Sequence, residues 1–216
     1  MESQRGKKKT PPKVNPDEYT IVPPDEPWLH TKVGKDFFDD DYHRIVEFYV
    51  LHSPCKVSSY TACTFESLGW RNPWHSANFR KMFDDVPGFV EGDSFRHHES
   101  TNHFKEMWDD AGWGEFFSIE QKEFAVFIYA GESNPRMDLF HHIRNSFAHG
   151  RFSVKRKNKE YYIHFEDVTT INKVKGLVVN ARICLKKSTM VRWLDTFEKK
   201  NDEAKELSSL YIGDKD

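Results

Sequence analysis

Apolar side chains recur at three- and four-residue spacing through much of this chain, the period of amphipathic helices. In DDDYHRIVEFYVLHS, Tyr42, Ile45, Val46, Tyr49 and Val50 mark one face. Asp39–Asp41 precede it, as suits a helix N-terminus, where the macrodipole favours acidic groups. SSYTACTFESLGW repeats the pattern with Tyr60, Cys63, Phe65 and Leu68 and closes at Gly69. PWHSANFRKMFDDVPGFV carries Trp74, Phe79, Met82 and Phe83. GFVEGDSFRHHE then alternates around Gly92-Asp93, as a short hairpin does. HFKEMWDDAGW predicts a short helix, and GEFFSIEQKEFAVFIYAGE a longer one with Phe117, Phe124, Phe127 and Ile128 as its stripe. In NPRMDLFHHIRNSFAHG, Pro135 suits the first turn and Gly150 the stop, with Met137, Phe140, Ile143 and Phe147 inward. Beyond Gly150 the period changes. RFSVKR and EYYIHFEDV read as two strands across a Lys-Asn-Lys turn, and LVVNARICLKK as a third, with Val179, Ala181, Ile183 and Leu185 on one face. Ser188 is placed to cap a last helix that turns Met190, Trp193, Leu194 and Phe197 inward.

These elements predict an α+β chain, mostly helical, in three parts. Residues 1–38 hold Lys7, Lys8 and Lys9 and a run of prolines, which predicts an extended, disordered basic tail. Residues 39–102 give helix, helix, turn, helix and hairpin. That order resembles a winged helix-turn-helix, a fold that either docks its third helix on nucleic acid or serves as a protein-docking module. The resemblance implies His75, Asn78, Arg80 and Lys81 as contacts, with Asp84 and Asp85 close behind them. Residues 103–210 form a second, helical domain with a short antiparallel β element and a C-terminal helix.

Composition narrows the class. Aromatic residues reach 15% of 216, including 18 Phe, enough apolar surface to build a core. No apolar run approaches the roughly 18–20 residues of a membrane helix, and the N-terminus lacks the apolar segment of a secretory signal. Three cysteines, Cys55, Cys63 and Cys184, lack disulfide or Cys-x-x-Cys spacing, so the expected setting is a reducing cytoplasm. With a net charge of -2, an anionic partner has to be held by a local patch.

That patch follows the helix ending at Gly150. Arg151, Lys155, Arg156, Lys157 and Lys159 form the strongest local basic cluster. Just before it stand Arg144, Asn145 and His149. A guanidinium is a planar, bidentate donor suited to phosphate oxygens. A histidine at a helix C-terminus meets the negative end of the dipole, which favours its protonated form. On an ideal helix Arg144 and His149 lie about 140° apart, so they do not make one pair on one face. Polar groups at a helix end also satisfy carbonyls, and Arg144 has Glu120 and Glu123 as candidate partners. The residues alone leave both readings open.

The run Arg144-Asn145-Ser146-Phe147-Ala148-His149-Gly150 resembles the R-N-x-x-x-H signature of the HEPN superfamily of helical ribonucleases. The resemblance covers the motif and, in outline, the helices of residues 103–150. It implies a metal-independent endoribonuclease with Arg144 and His149 catalytic and Asn145 in support. It also implies a homodimer whose composite active site brings the two residues together from two chains. Many members are toxins or phage-defence effectors, which adds an antitoxin or other partner protein as an expectation. The reaction would be transesterification. The RNA 2′-OH attacks phosphorus, His149 handles a proton, and Arg144 offsets the charge of the phosphorane. No cofactor and no metal is expected, and Arg151, Lys155, Arg156 and Lys157 are the expected RNA contacts. The family is usually a helical bundle, whereas here strands follow the motif.

Other signals weigh less. His97, His98, Glu99 and His103 lack zinc spacing and read as a polar wing and linker. His141 and His142 read as helix-surface residues, Cys55 and Cys63 as small buried ones, and the tryptophans as core. The rival function is a non-catalytic nucleic-acid-binding or regulatory module built from the winged helix and the basic hairpin. A third is an interaction protein that packs against a larger effector.

Overall fold

The computed structural model describes residues 15–22, 35–55, 67–68, 70, 89–116, 122–131 and 135–198. The expected helices at SSYTACTFESLGW and PWHSANFRKMFDDV, with His75, Asn78, Arg80, Lys81 and Cys63, lie outside them, apart from Ser67, Leu68 and Trp70. The described chain is α+β. Its centre is a five-stranded mixed sheet in the order β1-β2-β5-β4-β3, formed by Phe95–His98, Phe124–Ile128, Val178–Lys186, Glu160–Thr169 and Phe152–Lys157 respectively. β1 runs parallel to β2, and the other pairs are antiparallel. No helix among the described residues is long and apolar enough to cross a membrane.

Both faces of the sheet are covered. On one lie α1 (Asp40–Val46), its π-helical continuation Glu47–His52, α3 (Pro135–Ala148) and α4 (residues 187–198). Their Ile45, Tyr49, Phe140, Ile143, Trp193 and Phe197 pack against Ala125, Phe127, Ile163, Phe165 and Ile183 of the strands. On the other lies α2 (His103–Asp110), whose Phe104 and Trp108 cover Phe124, Val126, Tyr162 and Cys184. The Asp39 side chain caps α1 by accepting the Tyr42 N–H at 3.0 Å, as the aspartates there predict.

The β3–β4 hairpin follows the sequence pattern. Asn158 and Lys159 both take positive φ, 50° and 67°, which suits a two-residue turn between right-twisting strands. α3 ends where glycine predicts. Gly150 has φ 65°, its N–H reaches the Phe147 carbonyl and the Arg151 N–H the Ser146 carbonyl, the paired closure of a Schellman motif.

Several expectations are corrected. The long helix expected across GEFFSIEQKEFAVFIYAGE is a strand at Phe124–Ile128, with all five residues buried. A strand covered on both faces is apolar throughout, and so short a run does not distinguish strand from helix. The hairpin at Gly92-Asp93 is a turn that leads into β1, and β1 pairs in parallel with β2. The boundary drawn at 102/103 therefore falls between two strands of one sheet. The β element is correspondingly larger than a short antiparallel one. The tail expected over residues 1–38 is packed in two places. Ile21 bridges Val178 and Val22 is buried; Phe37 is buried beside Tyr161, whose hydroxyl donates to Asp36. Ser188 lies inside α4, with its hydroxyl donating to Glu160 at 2.6 Å. Val179 does not share a face with Ala181, Ile183 and Leu185. Asp167 pairs with Ala181 but Val168 with Val179, so Asn180 is an extra residue that swings Val179 to the other face.

Candidate functional site

The register places Asp167, Ala181, Phe127 and His97 as successive neighbours across four strands, from β4 to β1. α3 lies over this face, and its polar residues come down on the Asp167 end of the row. His141 and His142 are buried, 9% and 2% exposed, which corrects the expectation of a helix-surface pair. Burial of two imidazoles is tolerated because each has polar partners at hand.

His142 has acceptors at both ring nitrogens. Nε2 donates to the Ile128 carbonyl at 2.7 Å, and Nδ1 lies 2.7 Å from Asp167 Oδ2. A carbonyl only accepts, so Nε2 carries a hydrogen. Asp167 Oδ2 also accepts from Asn145 Nδ2 at 3.3 Å. His142 and Asp167 are thus a buried, directly hydrogen-bonded pair. Burial pushes the Asp167 carboxyl up, but the hydrogen bond and charge of His142, with help from Asn145, outweigh it and hold it below the usual range.

Asn145 ties this pair to the motif. Its Nδ2 serves Asp167 and, at 3.0 Å, His141 Nε2; its Oδ1 accepts from Arg144 Nη1 at 3.3 Å. These partners fix the orientation of the amide, since the guanidinium can only donate and the carboxylate can only accept. His141 is the neutral member. Burial first, then the neighbouring His142, pushes its pKa down to about 4. At neutral pH its Nε2 lone pair is held by Asn145.

Arg144 is half-buried and has no carboxylate partner among the described residues. Its Nε lies inside the protein without a hydrogen-bond acceptor there. Arg44 meets Asp41, Asp195 and Glu198, Arg156 meets Asp36, and Arg151 and Arg182 share Glu166. The candidate partner Glu123 is engaged elsewhere, accepting the Lys186 N–H at 2.9 Å. Among the described residues Arg144 meets only a neutral amide oxygen.

The other expected site residues are placed apart. His149 is the exposed C-cap of α3; its N–H reaches the Asn145 carbonyl at 2.9 Å, and its side chain has no hydrogen bond or ion pair among the described residues. No contact joins it to Arg144 within the described chain. Arg151 turns inward to Glu166 at 2.6 Å, so it does not belong to an outward basic patch. Arg156 pairs with Asp36 at 3.0 Å and lies over the Tyr161 ring. Lys155 and Lys157 fall on the opposite face of β3, an edge strand, while Lys159 is exposed at the turn.

Among the described residues no group of three or more metal-ligating side chains converges. His98 and His103 stack at 3.8 Å, and His97 bridges the Tyr129 hydroxyl and Glu91, each at 2.8 Å. Cys55 and Cys184 are buried, and burial pushes the Cys184 thiol far up, away from nucleophilic use.

Sequence reasoning missed His142 and Asp167. The available signal was an acidic pair, Glu166-Asp167, inside the otherwise apolar strand EYYIHFEDV, because a charge in a buried strand needs a partner. Compared with protein-family models, curated proteins and solved structures, the chain finds no match, and the site is interpreted from its own residues.

Proposed function

We propose that this chain is a metal-independent endoribonuclease of HEPN type, in which Arg144 holds the scissile phosphate and His149 transfers a proton. The observation that carries the reading is Arg144 itself. It is a half-buried guanidinium with an unmet Nε–H, no carboxylate partner among the described residues, and a neighbour, Asn145, fixed from behind. A phosphodiester supplies the missing anion and acceptors. In the reaction the RNA 2′-oxygen bonds to phosphorus and its proton passes to a base. The bond to the 5′-oxygen breaks, that oxygen takes up a proton, and a 2′,3′-cyclic phosphate remains. Arg144 offsets charge on the phosphorane, a contribution of several kcal/mol in comparable sites. Exposed His149, on a different side of the helix end, suits a site completed by a second copy of the chain. Lys155 and Lys157 follow that helix end in sequence but face away from α3 across β3, so they would take RNA backbone beyond the Arg144 site. The motif resemblance alone suggests a toxin or defence role in the cytoplasm, and a partner that restrains it.

A binding module that holds RNA without cutting is the second reading. It is favoured by the position of the motif helix on a sheet rather than in a helical bundle. One experiment separates the two: wild type, Arg144→Ala and His149→Ala are incubated with total RNA in EDTA, and the product ends are read. Cleavage to 2′,3′-cyclic phosphate by wild type, falling about 100-fold or more in each variant, is expected. Equal cleavage by all three sinks the assignment, and binding without any product favours the second reading.

A further inference from the structure

The chain behind Arg144 reaches well outside the motif. Asp167 lies on β4, 22 residues from Asn145 and 25 from His142, beside the extra residue Asn180 in β5. Both of its oxygens are engaged. Oδ2 takes His142 and Asn145, and Oδ1 takes the Val168 N–H at 3.0 Å. His142 is pinned in turn at the end of β2 by the Ile128 carbonyl. The Asn145 amide cannot rotate without placing its oxygen against the carboxylate, and its oxygen is what the Arg144 Nη1 meets.

We propose that Asp167 and His142 are positioning residues which, through Asn145, set the Arg144 guanidinium to receive one RNA phosphate. This rests on the ribonuclease reading above. The two residues touch no substrate. Their part is to keep a flexible four-torsion side chain in one place, and pre-set geometry of this kind lowers the entropy lost on binding.

Asp167→Asn is the informative change. An amide has one acceptor oxygen, so either the Val168 N–H or the His142 and Asn145 donors would face an NH₂ group. The measurement is the affinity for a 2′-O-methyl oligonucleotide, which lacks the attacking hydroxyl and stays intact. It is made with wild type, Asp167→Asn, Arg144→Ala and the double variant, each checked for folding by its melting curve. Loss of this hydrogen-bonded support is expected to weaken binding about tenfold in the wild-type background. In the Arg144→Ala background it is expected to do nothing, since the group being positioned is gone. Equal weakening in both backgrounds means a merely structural role and overturns the proposal, as does an Asp167→Asn protein that binds like wild type while Arg144→Ala does not. If Arg144→Ala binds like wild type, the ribonuclease reading falls and takes this one with it. Should Asp167→Asn fail to fold, Asn145→Ala breaks the same chain at its solvent end and the cycle with Arg144→Ala has the same two outcomes.

Discussion

Glu166 and Asp167 are adjacent on β4 and face opposite sides of the sheet, and the two regions they anchor differ in one respect. Glu166, 0% exposed, receives Arg151 at 2.6 Å and Arg182 at 2.9 Å, one guanidinium on each oxygen. The Trp108 and Phe116 rings cover Arg182. Both cations there are paired and enclosed. Asp167 pairs with a histidine and a side-chain amide, and the arginine of that cluster stays without a carboxylate among the described residues. In the first arrangement each guanidinium has a carboxylate partner; in the second the guanidinium meets an amide oxygen instead. A buried acid is therefore weak evidence for function until its partners are counted.

The comparison is broken most decisively at Glu166. Glu166→Gln turns an NH₂ toward one of two guanidiniums and leaves the other with less charge, so unfolding should become easier by about 3–5 kcal/mol. Urea unfolding at pH 7 reads this. RNA affinity per folded molecule should be unchanged, and a fully stable variant that has lost RNA binding would reverse the roles assigned to the two faces.

A smaller effect is expected on the Asp167 side, through pH. His141 takes up its proton near 6.5 when unfolded and only near 4 when folded. Below pH 6.5 the unfolded state binds more protons, so stability is full above that value and falls steadily as pH drops toward 4. Asp167, held below the usual carboxylate range, adds a second loss at still lower pH, as the native pair is protonated. Denaturation midpoints from pH 7 to pH 4 should show the first slope in wild type and lose it in His141→Gln. The same slope in both proteins would place the titrating group elsewhere.

The smallest effect concerns ionic strength. Lys155→Ala should lower the slope of log affinity against log salt by about one, with little change in stability. Arg151→Ala should do the opposite, weakening the fold while leaving the salt slope unchanged, because that cation is turned inward against buried Glu166. A reduced slope in Arg151→Ala would restore Arg151 to the RNA surface.

Legibility in the sequence followed the strength of local signals. α3 was readable because its apolar period, its Pro135 start and its Gly150 stop agree with one another, and the β3–β4 hairpin because the period changes abruptly there. Phe124–Ile128 was not, since five consecutive apolar residues fit either a buried strand or a helical stripe, and only pairing with β1 and β5 decides. His141 and His142 looked like surface residues because the partner that makes their burial tolerable, Asp167, is distant in sequence and has no motif to announce it. Arg151 looked like part of a basic patch for the same reason: proximity in sequence groups it with Lys155, whereas strand geometry turns it toward Glu166. Structure announced within one helix or one hairpin was legible; contacts that depend on which strand lies beneath the helix were not.

The arrangement also bears on how the molecule is assembled. Apart from the Ile128 carbonyl, the polar cluster lies between His141 and Asp167, within the consecutive elements α3, β3 and β4. The clamp of Arg44 on Asp195 and Glu198, by contrast, spans 151 and 154 residues. Loop-closure entropy rises with separation, and folding slows as contacts become less local. The helix–hairpin unit can therefore bring its own charges together at a lower entropic cost than the α1–α4 clamp must meet. In kinetic terms the helix–hairpin unit that holds the proposed site is also a local folding unit, to which β2 adds the Ile128 carbonyl.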